Sequence, residues 1–313
     1  MVRKSKWIED TYPQEPLQEA AHRALRGRLN LVWHYLLLAG VKGHDDVENV
    51  HQLRVSSRRA TAAMQTFEAL LPPQRAKWIS KQLKRIRRAA GTARDLDVLT
   101  ARLERLAEQQ PDGPYARLQG WASQERLQAQ KPLKKIRRKV VRKGFPRHQR
   151  GLLKRVRLRS DADKLARPDL LYAGRNALRP LVDEFFRAAE GNLNDDAALH
   201  ALRIQGKHLR YAMEIFSGAF GPQLRNDIYP RIEALQEQLG EINDHVTAQK
   251  HLRDWLEQTD ESAHLEALEQ MIAQEQDALR DSRRKFLDSW TSERSGDLRR
   301  RFAELLGDQR AAG

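Results

Sequence analysis

Apolar residues recur at intervals of three and four along most of this chain. Near its start they fall at Leu17, Ala21, Leu25, Leu29 and Val32, the spacing that turns one side of an α-helix toward a core. Nowhere do valine, isoleucine and aromatic residues alternate over a useful length, so strands are not expected. Pro72-Pro73, Gly113-Pro114, Pro168, Gly191 and Gly221-Pro222 interrupt the helical pattern and mark turns. Each half of the chain then offers about four to six helices, which predicts an all-α protein of two bundles packed together. The length of 313 residues is ample for two modest cores. The final helix is expected from about Ser292 to Leu306, covering a bundle end.

The pattern is written twice. Residues 51–67 read HQLRVSSRRATAAMQTF and residues 200–216 read HALRIQGKHLRYAMEIF. A shift of 149 pairs His51 with His200, Leu53 with Leu202, Arg54 with Arg203, Arg58 with Lys207, Met64 with Met213 and Phe67 with Phe216. The register continues without a gap through Pro73 and Pro222, Ile79 and Ile228, and Gly91 and Gly240. It brings GTARDLDV at 91–98 over GEINDHVT at 240–247, with Asp95 over Asp244. The chain therefore reads as two copies of one helical unit.

Successive helical residues turn by about 100°. His51, Arg54 and Arg58 then share a narrow stripe, as do His200, Arg203, Lys207 and Arg210. Leu53, Ala60, Met64 and Phe67 lie roughly opposite, as do Leu202, Leu209, Met213 and Phe216. The apolar stripes must bury against other helices, and the basic stripes face something else. Asp46 and Asp195, five residues before the histidines, are candidate N-caps. They would place both histidines in the second turn, near the positive end of the helix dipole. For one helix this pattern describes an ordinary solvated face. Its recurrence in register, with His leading and Arg at the same offset, favours an anion-binding surface.

Charge sharpens that reading. There are 57 Lys and Arg against 42 Asp and Glu, a formal net charge of +15, and the sequence pI is about 10.2. Such a surplus points to a polyanionic partner or an acidic surface. From Lys131 to Arg159 there is no acidic residue. Pro132, Gly144, Pro146 and Gly151 punctuate this run, which is expected to end one helix, turn and begin another. It is either a solvated connector or a second wall of the anion site. Cysteine is absent, which excludes disulfides and thiolate metal sites and suits a reducing compartment. The start, MVRKSKWIEDTYPQEP, lacks an apolar signal segment. The longest apolar run, roughly Leu29 to Val41, contains His34 and is too short to span a bilayer. A cytoplasmic protein without membrane insertion is expected.

Other chemistry is thinly supplied. Asp95, Asp97 and Asp244 are expected to pair with and orient the arginine cluster rather than to act as acid, base or metal ligand. Gly91 and Gly240 suit a close approach or a break between helices. There is no HExxH pattern, His200 and His208 are too far apart for a one-turn ligand pair, and His22 and His264 read as surface residues. No metal site and no cofactor are implied. Neither a phosphate-binding P-loop nor a Ser/His/Asp constellation can be placed, so no catalytic residues are assigned.

HxLRVxxRR, GxxRDLDVL, HxLRIxxKxLRYAxExF and LQEQLGEINDHV, in this order, resemble the CHAD domain, the conserved histidine α-helical domain. The resemblance runs from about Leu17 to about Leu306. It places the domain at 11–305, with repeats of about 11–144 and 163–306 and terminal tails at 1–10 and 307–313. It implies two pseudo-symmetric helical bundles around a basic central pore or groove that binds inorganic polyphosphate, with association with polyphosphate granules. CHAD domains are sometimes fused to a triphosphatase domain whose ExExK strand pattern is missing here. A binding protein rather than an enzyme is therefore expected.

Carried over position by position, the family's basic helices supply His51, Arg54, Arg58 and Arg59 in the first half, and His200, Arg203, Lys207, His208, Arg210 and Tyr211 in the second. The helix before GTARD adds Lys81, Lys84, Arg85, Arg87 and Arg88. Its counterpart has Glu233, Gln236 and Glu237 at the positions of Lys84, Arg87 and Arg88. The first half is thus expected to carry more of the phosphate contacts. Polyphosphate oxygens accept the planar fork of Arg and the point charge of Lys, and binding should be steeply salt-dependent. The alternative partner is a nucleic acid. Against it, aromatic residues make up 6% of the chain and are not interleaved with the basic stripes, which leaves few stacking platforms. An acidic protein segment is a third occupant of the same surface.

Overall fold

The structure is a computed structural model and describes residues 5–42, 47–109, 114–161 and 167–307. Ten α-helices longer than one turn lie within the described residues, and no extended strand does; Pro16 and Asp169 form an isolated antiparallel bridge. The first half holds α1 (Leu17–Lys42), α2 (Val47–Thr66), α3 (Pro73–Gln109), α4 (Pro114–Arg142) and α5 (Phe145–Leu153). The second holds α6 (Leu170–Ala189), α7 (Asp196–Phe216), α8 (Tyr229–Leu256), α9 (Ser262–Ser289) and α10 (Ser292–Leu306). A single helical turn at Gly221–Gln223 and a π-helical stretch at Leu224–Ile228 lead into α8. Moving the bounds of α2 by 149 gives 196–215, against the observed 196–216 of α7. These two helices thus fall at the spacing of the sequence repeat.

The apolar periodicity does what it predicts. Ala21, Leu25, Leu29, Val32 and Leu36 on α1 are fully enclosed, each worth up to about 1.5–3 kcal/mol of transfer free energy for the larger side chains. On α2 and α7, Leu53, Met64, Leu202, Leu209 and Met213 point into the core. One core fills the first half and reaches Ile215 and Phe216 of α7; a second fills the later half. A third lies between the far ends of the two long hairpins. There Leu99 and Leu103 of α3 and Leu118 of α4 meet Leu252 of α8 and Leu268 of α9. The repeat-equivalent Phe67 and Phe216 touch edge to face, their ring centroids 6.1 Å apart.

Helix ends follow the expected chemistry. The carboxylate of Asp195 caps α7 by accepting from the backbone N–H of Ala198 at 2.9 Å. Asp46 lies outside the described residues. Asp169 caps α6, and Gly307 ends α10 in the left-handed region at φ 73°. Gly144, at φ 68°, makes the turn from α4 to α5, so the basic connector is helix, turn and helix as read from sequence.

Four expectations are corrected. Pro132 does not interrupt the connector but lies inside α4. Gly91 and Gly240 mark neither a break nor a close approach: both sit within continuous helices, and a Cβ at either would meet nothing within 4 Å. Residues 5–10 are not a loose tail. Ile8 is buried in the first core, Trp7 stacks edge-on to Tyr229 at 4.6 Å, and Lys6 pairs with Glu233 at 2.9 Å. His264 is half-buried, stacked on Trp121 at 5.7 Å.

Candidate functional site: a basic cleft between the halves

Three helices each contribute one stripe, at helical spacing, to a cleft of about 580 Å³. From α2 come Arg54, Arg58, Thr61 and Gln65; from α3, Lys84, Arg87, Arg88, Gly91, Thr92 and Asp95; from α7, Arg203, Lys207, His208 and Tyr211. The stripes open here because the opposite sides of α2 and α7 are committed to the cores. Seven arginines and lysines line the cleft against one carboxylate, Asp95. No residue of α8 takes part, in line with its acidic and neutral substitutions for the cations of α3.

Crowding of like charge in a partly dry site shifts these groups. Burial first, and then Arg58, lower the pKa of Arg54, while Asp95 and Asp244 pull it back. Asp95 stands 3.5 Å from the Arg54 guanidinium. Arg203, 8% exposed, is held down to about 10 by burial and Arg58 against the attraction of Asp244. Lys207 is affected most: burial, Arg203, Arg58, Arg54 and Arg210 lower it to about 6. A lysine so placed is largely neutral at pH 7 until an anion restores its proton.

Nine of the fifteen residues expected to bind line this cleft: Arg54, Arg58, Lys84, Arg87, Arg88, Arg203, Lys207, His208 and Tyr211. The other six are placed elsewhere. Arg59 turns to the buried Glu214, its Nε at 2.7 Å and its Nη2 at 2.9 Å from the carboxylate oxygens. Arg210 lies 3.9 Å from Glu233 and covers the ring of Tyr211 at 5.3 Å. Lys81 and Arg85 lie outside the lining on the solvent side of α3, Arg85 near enough to Lys139 of α4 to depress that ammonium. His51 is half-buried beside Arg94, Arg54 and Arg58; burial and then Arg94 lower its pKa. His200 borders a smaller crevice of about 140 Å³ with Leu199, Leu239 and Ile242, which meets the cleft at Arg203. Residues from Lys131 to Arg159 are absent from the lining, so the connector is not a wall of this cleft. Asp97 leaves the arginine cluster and binds Arg126 at 2.6 Å.

Behind the cleft lies a network that sequence reasoning missed. Glu214, fully buried, accepts from Arg59, from the Tyr229 hydroxyl at 3.0 Å, and stands 3.5 Å from Arg28 of α1. Arg28, 2% exposed, also donates to the carbonyls of Ser5 and Lys6 and so ties the N-terminal segment to the same knot. Burial lowers Arg28 to about 10 despite Glu214. The one available signal was Glu214 standing where the first copy has Gln65, a carboxylate inside an otherwise apolar and basic motif.

Fold and cleft together define an all-α protein with a cationic groove walled by helices of both halves. The chain belongs to the CHAD domain family, whose model matches residues 23–253. It is similar to the crystal structure of the CHAD domain from the plant Ricinus communis, at 24% identity and a TM-score of 0.65, over 98% of this chain and 96% of that one. It is also similar to PptA from Streptomyces chartreusis, at 19% identity and a TM-score of 0.65, over 88% of this chain and 99% of that one. Among curated proteins it is 24% identical over 253 residues to the uncharacterized protein MT2285 of Mycobacterium tuberculosis (strain CDC 1551 / Oshkosh). That match takes in 77% of this chain and 46% of the relative, so the chain spans about half the length of the curated protein it matches. No described helix is long and apolar enough to cross a membrane.

Proposed function

We propose that the cleft binds inorganic polyphosphate, as the CHAD resemblance implies, and that the protein is a polyphosphate receptor rather than an enzyme. The observation that carries the reading is the lining itself: seven fixed or potential cations from three helices, with one carboxylate, in a single groove. Asp95 and Asp244 lie close enough to influence Arg54 without neutralising the site. A flexible chain of phosphates matches such a lining because each unit offers oxygens to Arg forks and no base that needs a partner. Targeting to polyphosphate granules in the cytoplasm follows from the same reading.

Nucleic acid is the weaker occupant. Tyr211 is the aromatic residue in the lining, and it is 7% exposed with Arg210 over its ring. The cleft therefore offers phosphate contacts without a stacking platform.

The test is a calorimetric titration with long-chain polyphosphate and with single-stranded RNA of matched charge, at two salt concentrations. Polyphosphate binding that survives the higher salt while RNA is lost supports a shaped receptor. Equal affinities that fall together overturn it in favour of a general polyanion surface. The double variant Arg54→Glu, Arg203→Glu should abolish polyphosphate binding with helical content unchanged; unchanged affinity would remove the stripes from the site.

A further inference from the structure

Outside the cleft, the strongest unassigned feature is the outer surface of the α3–α4 hairpin. We propose that it is a second, continuous track for the same polymer, on which Lys81 and Arg85 of α3 and Lys135, Lys139, Arg142 and Lys143 at the end of α4 hold polyphosphate leaving the cleft. This rests on the cleft being a polyphosphate site.

Continuity comes from helix geometry. Lys81 and Arg85 lie three residues before Lys84 and Arg88, which line the cleft, so they adjoin its rim on α3. On α4, Leu133, Ile136 and Val140 are buried, and Lys135 and Arg142 are exposed on the other side; Lys143 is exposed in the turn that follows. The cations of the two helices lie near enough that Arg85, ahead of Lys143, lowers the pKa of the Lys139 ammonium.

The track also lacks local counter-charge. No acidic residue occurs between Ala69 and Arg94 on α3 and the turn before it, or between Lys131 and Arg159. Arginines of α9 and α10 are treated differently. On α9, Arg284 pairs with Asp281 at 2.9 Å, and Arg280 pairs with Asp277. On α10, Arg301 pairs with Asp297 at 2.8 Å and with Asp227 at 2.6 Å, and Arg300 pairs with Asp297. These two helices carry the balanced i to i+3 and i+4 pairs of a solvated surface. The cations of α3 before Asp95 and those from Lys131 to the end of α4 have no acidic residue within their own stretches of sequence, and a polyanion would relieve their mutual repulsion. Without exposed aromatics among these six cations, the track, like the cleft, offers phosphate contacts rather than base stacking.

The experiment compares chain lengths. The variant Lys135→Gln, Lys139→Gln, Arg142→Gln, Lys143→Gln is titrated with tripolyphosphate, which fills the cleft alone, and with long-chain polyphosphate across a salt series. Tripolyphosphate affinity should stay within about twofold of the unaltered chain, because the cleft is intact. Long-chain affinity should fall by about tenfold or more, and the slope of log K against log salt should drop by about 3, at 0.7–0.9 per lost phosphate contact. Neutralising mutually repelling groups should leave helical content and melting temperature intact. A long-chain slope that does not move overturns the track. So does a parallel loss for tripolyphosphate, which would mean that these residues act through the field of the cleft. Loss for single-stranded RNA with polyphosphate unmoved would reassign the surface to nucleic acid. The underlying reading fails in a separate way: tripolyphosphate would then not bind the unaltered chain at all.

Discussion

Lys207 makes binding a proton-linked event. In the protein alone, burial and the arginines around it hold the ammonium at about 6. A phosphate chain laid along Arg54, Arg58 and Arg203 replaces that repulsion with attraction and restores the proton. At pH 7.5 a group with a pKa of about 6 is charged in only about 3% of molecules, so binding should take up close to one proton. Affinity should then weaken as pH rises, by about 50-fold between pH 6 and pH 8, since the protonated fraction falls by that factor. The assay is calorimetry with long-chain polyphosphate in buffers of differing ionisation enthalpy, at pH 6, 7 and 8. His208 lines the same cleft. The comparison is therefore with Lys207→Gln, which keeps His208. This variant should lose close to one proton of uptake at pH 7.5 and most of the pH slope. Identical proton uptake in both proteins would refute the argument, and with it the placement of the Lys207 amine among the arginines.

The same shift predicts stability. The folded pKa of Lys207 lies below its ordinary 10.5, so the unfolded chain binds more protons between about pH 6 and 10.5 and stability rises with pH across that window. Lys207→Met should flatten the rise in denaturant titrations, and an unchanged profile would count against it. Glu214→Gln removes the charge that Arg28 and Arg59 share in the interior and should cost about 3–5 kcal/mol; a loss under about 1 kcal/mol in urea unfolding would show that the knot is not needed. Gly91 faces the cleft with nothing within 4 Å of a Cβ. Gly91→Ala should therefore stabilise α3 by about 0.5–1 kcal/mol. Gly91→Leu should keep the fold and obstruct tripolyphosphate, and retention of both fold and affinity would show that the cleft is wider there than its lining implies.

Much of this was legible in the sequence because a helix converts spacing into direction. The 149-residue register located α7 from α2, the stripe through Arg54 and Arg58 named the wall of the cleft, and Asp195 marked the first residue before a helix. What a helical period cannot provide is the identity of the neighbour. Arg210 shares the angular sector of Arg203 and Lys207, yet Glu233 of another helix draws it aside. Arg59 and His208 are equivalent by the repeat, but only the first has a buried Glu214 to reach, and His208 remains in the cleft. Thr61 and Gln65, at the right spacing after Arg58, were passed over because they carry no charge. Gly91 and Gly240 misled because glycine is commonly read as backbone freedom, whereas Gly91 removes a side chain from the groove.

The repeat also explains why the site is lopsided without being poorly made. Two equal copies would bring two copies of the α3 cations to one groove, and like-charge repulsion would rise with each added guanidinium. Here the counterpart of α3 carries Glu233, Gln236 and Glu237. One of these, Glu233, pairs with Lys6 and stands near Arg210, so the second copy supplies anchoring where the first supplies charge. Glu214 works in the same sense one layer deeper, holding Arg28 and Arg59 so that the apolar backs of α2 and α7 stay packed while their fronts repel. Such a cleft is held open by the cores behind it and is relieved by an anion in front. Its occupancy should therefore raise the melting temperature by ordinary ligand linkage. The gain should be largest at low pH, where Lys207 is already charged, and should vanish in the Arg54→Glu, Arg203→Glu variant. A gain of equal size in that variant would place the bound polymer elsewhere on the molecule.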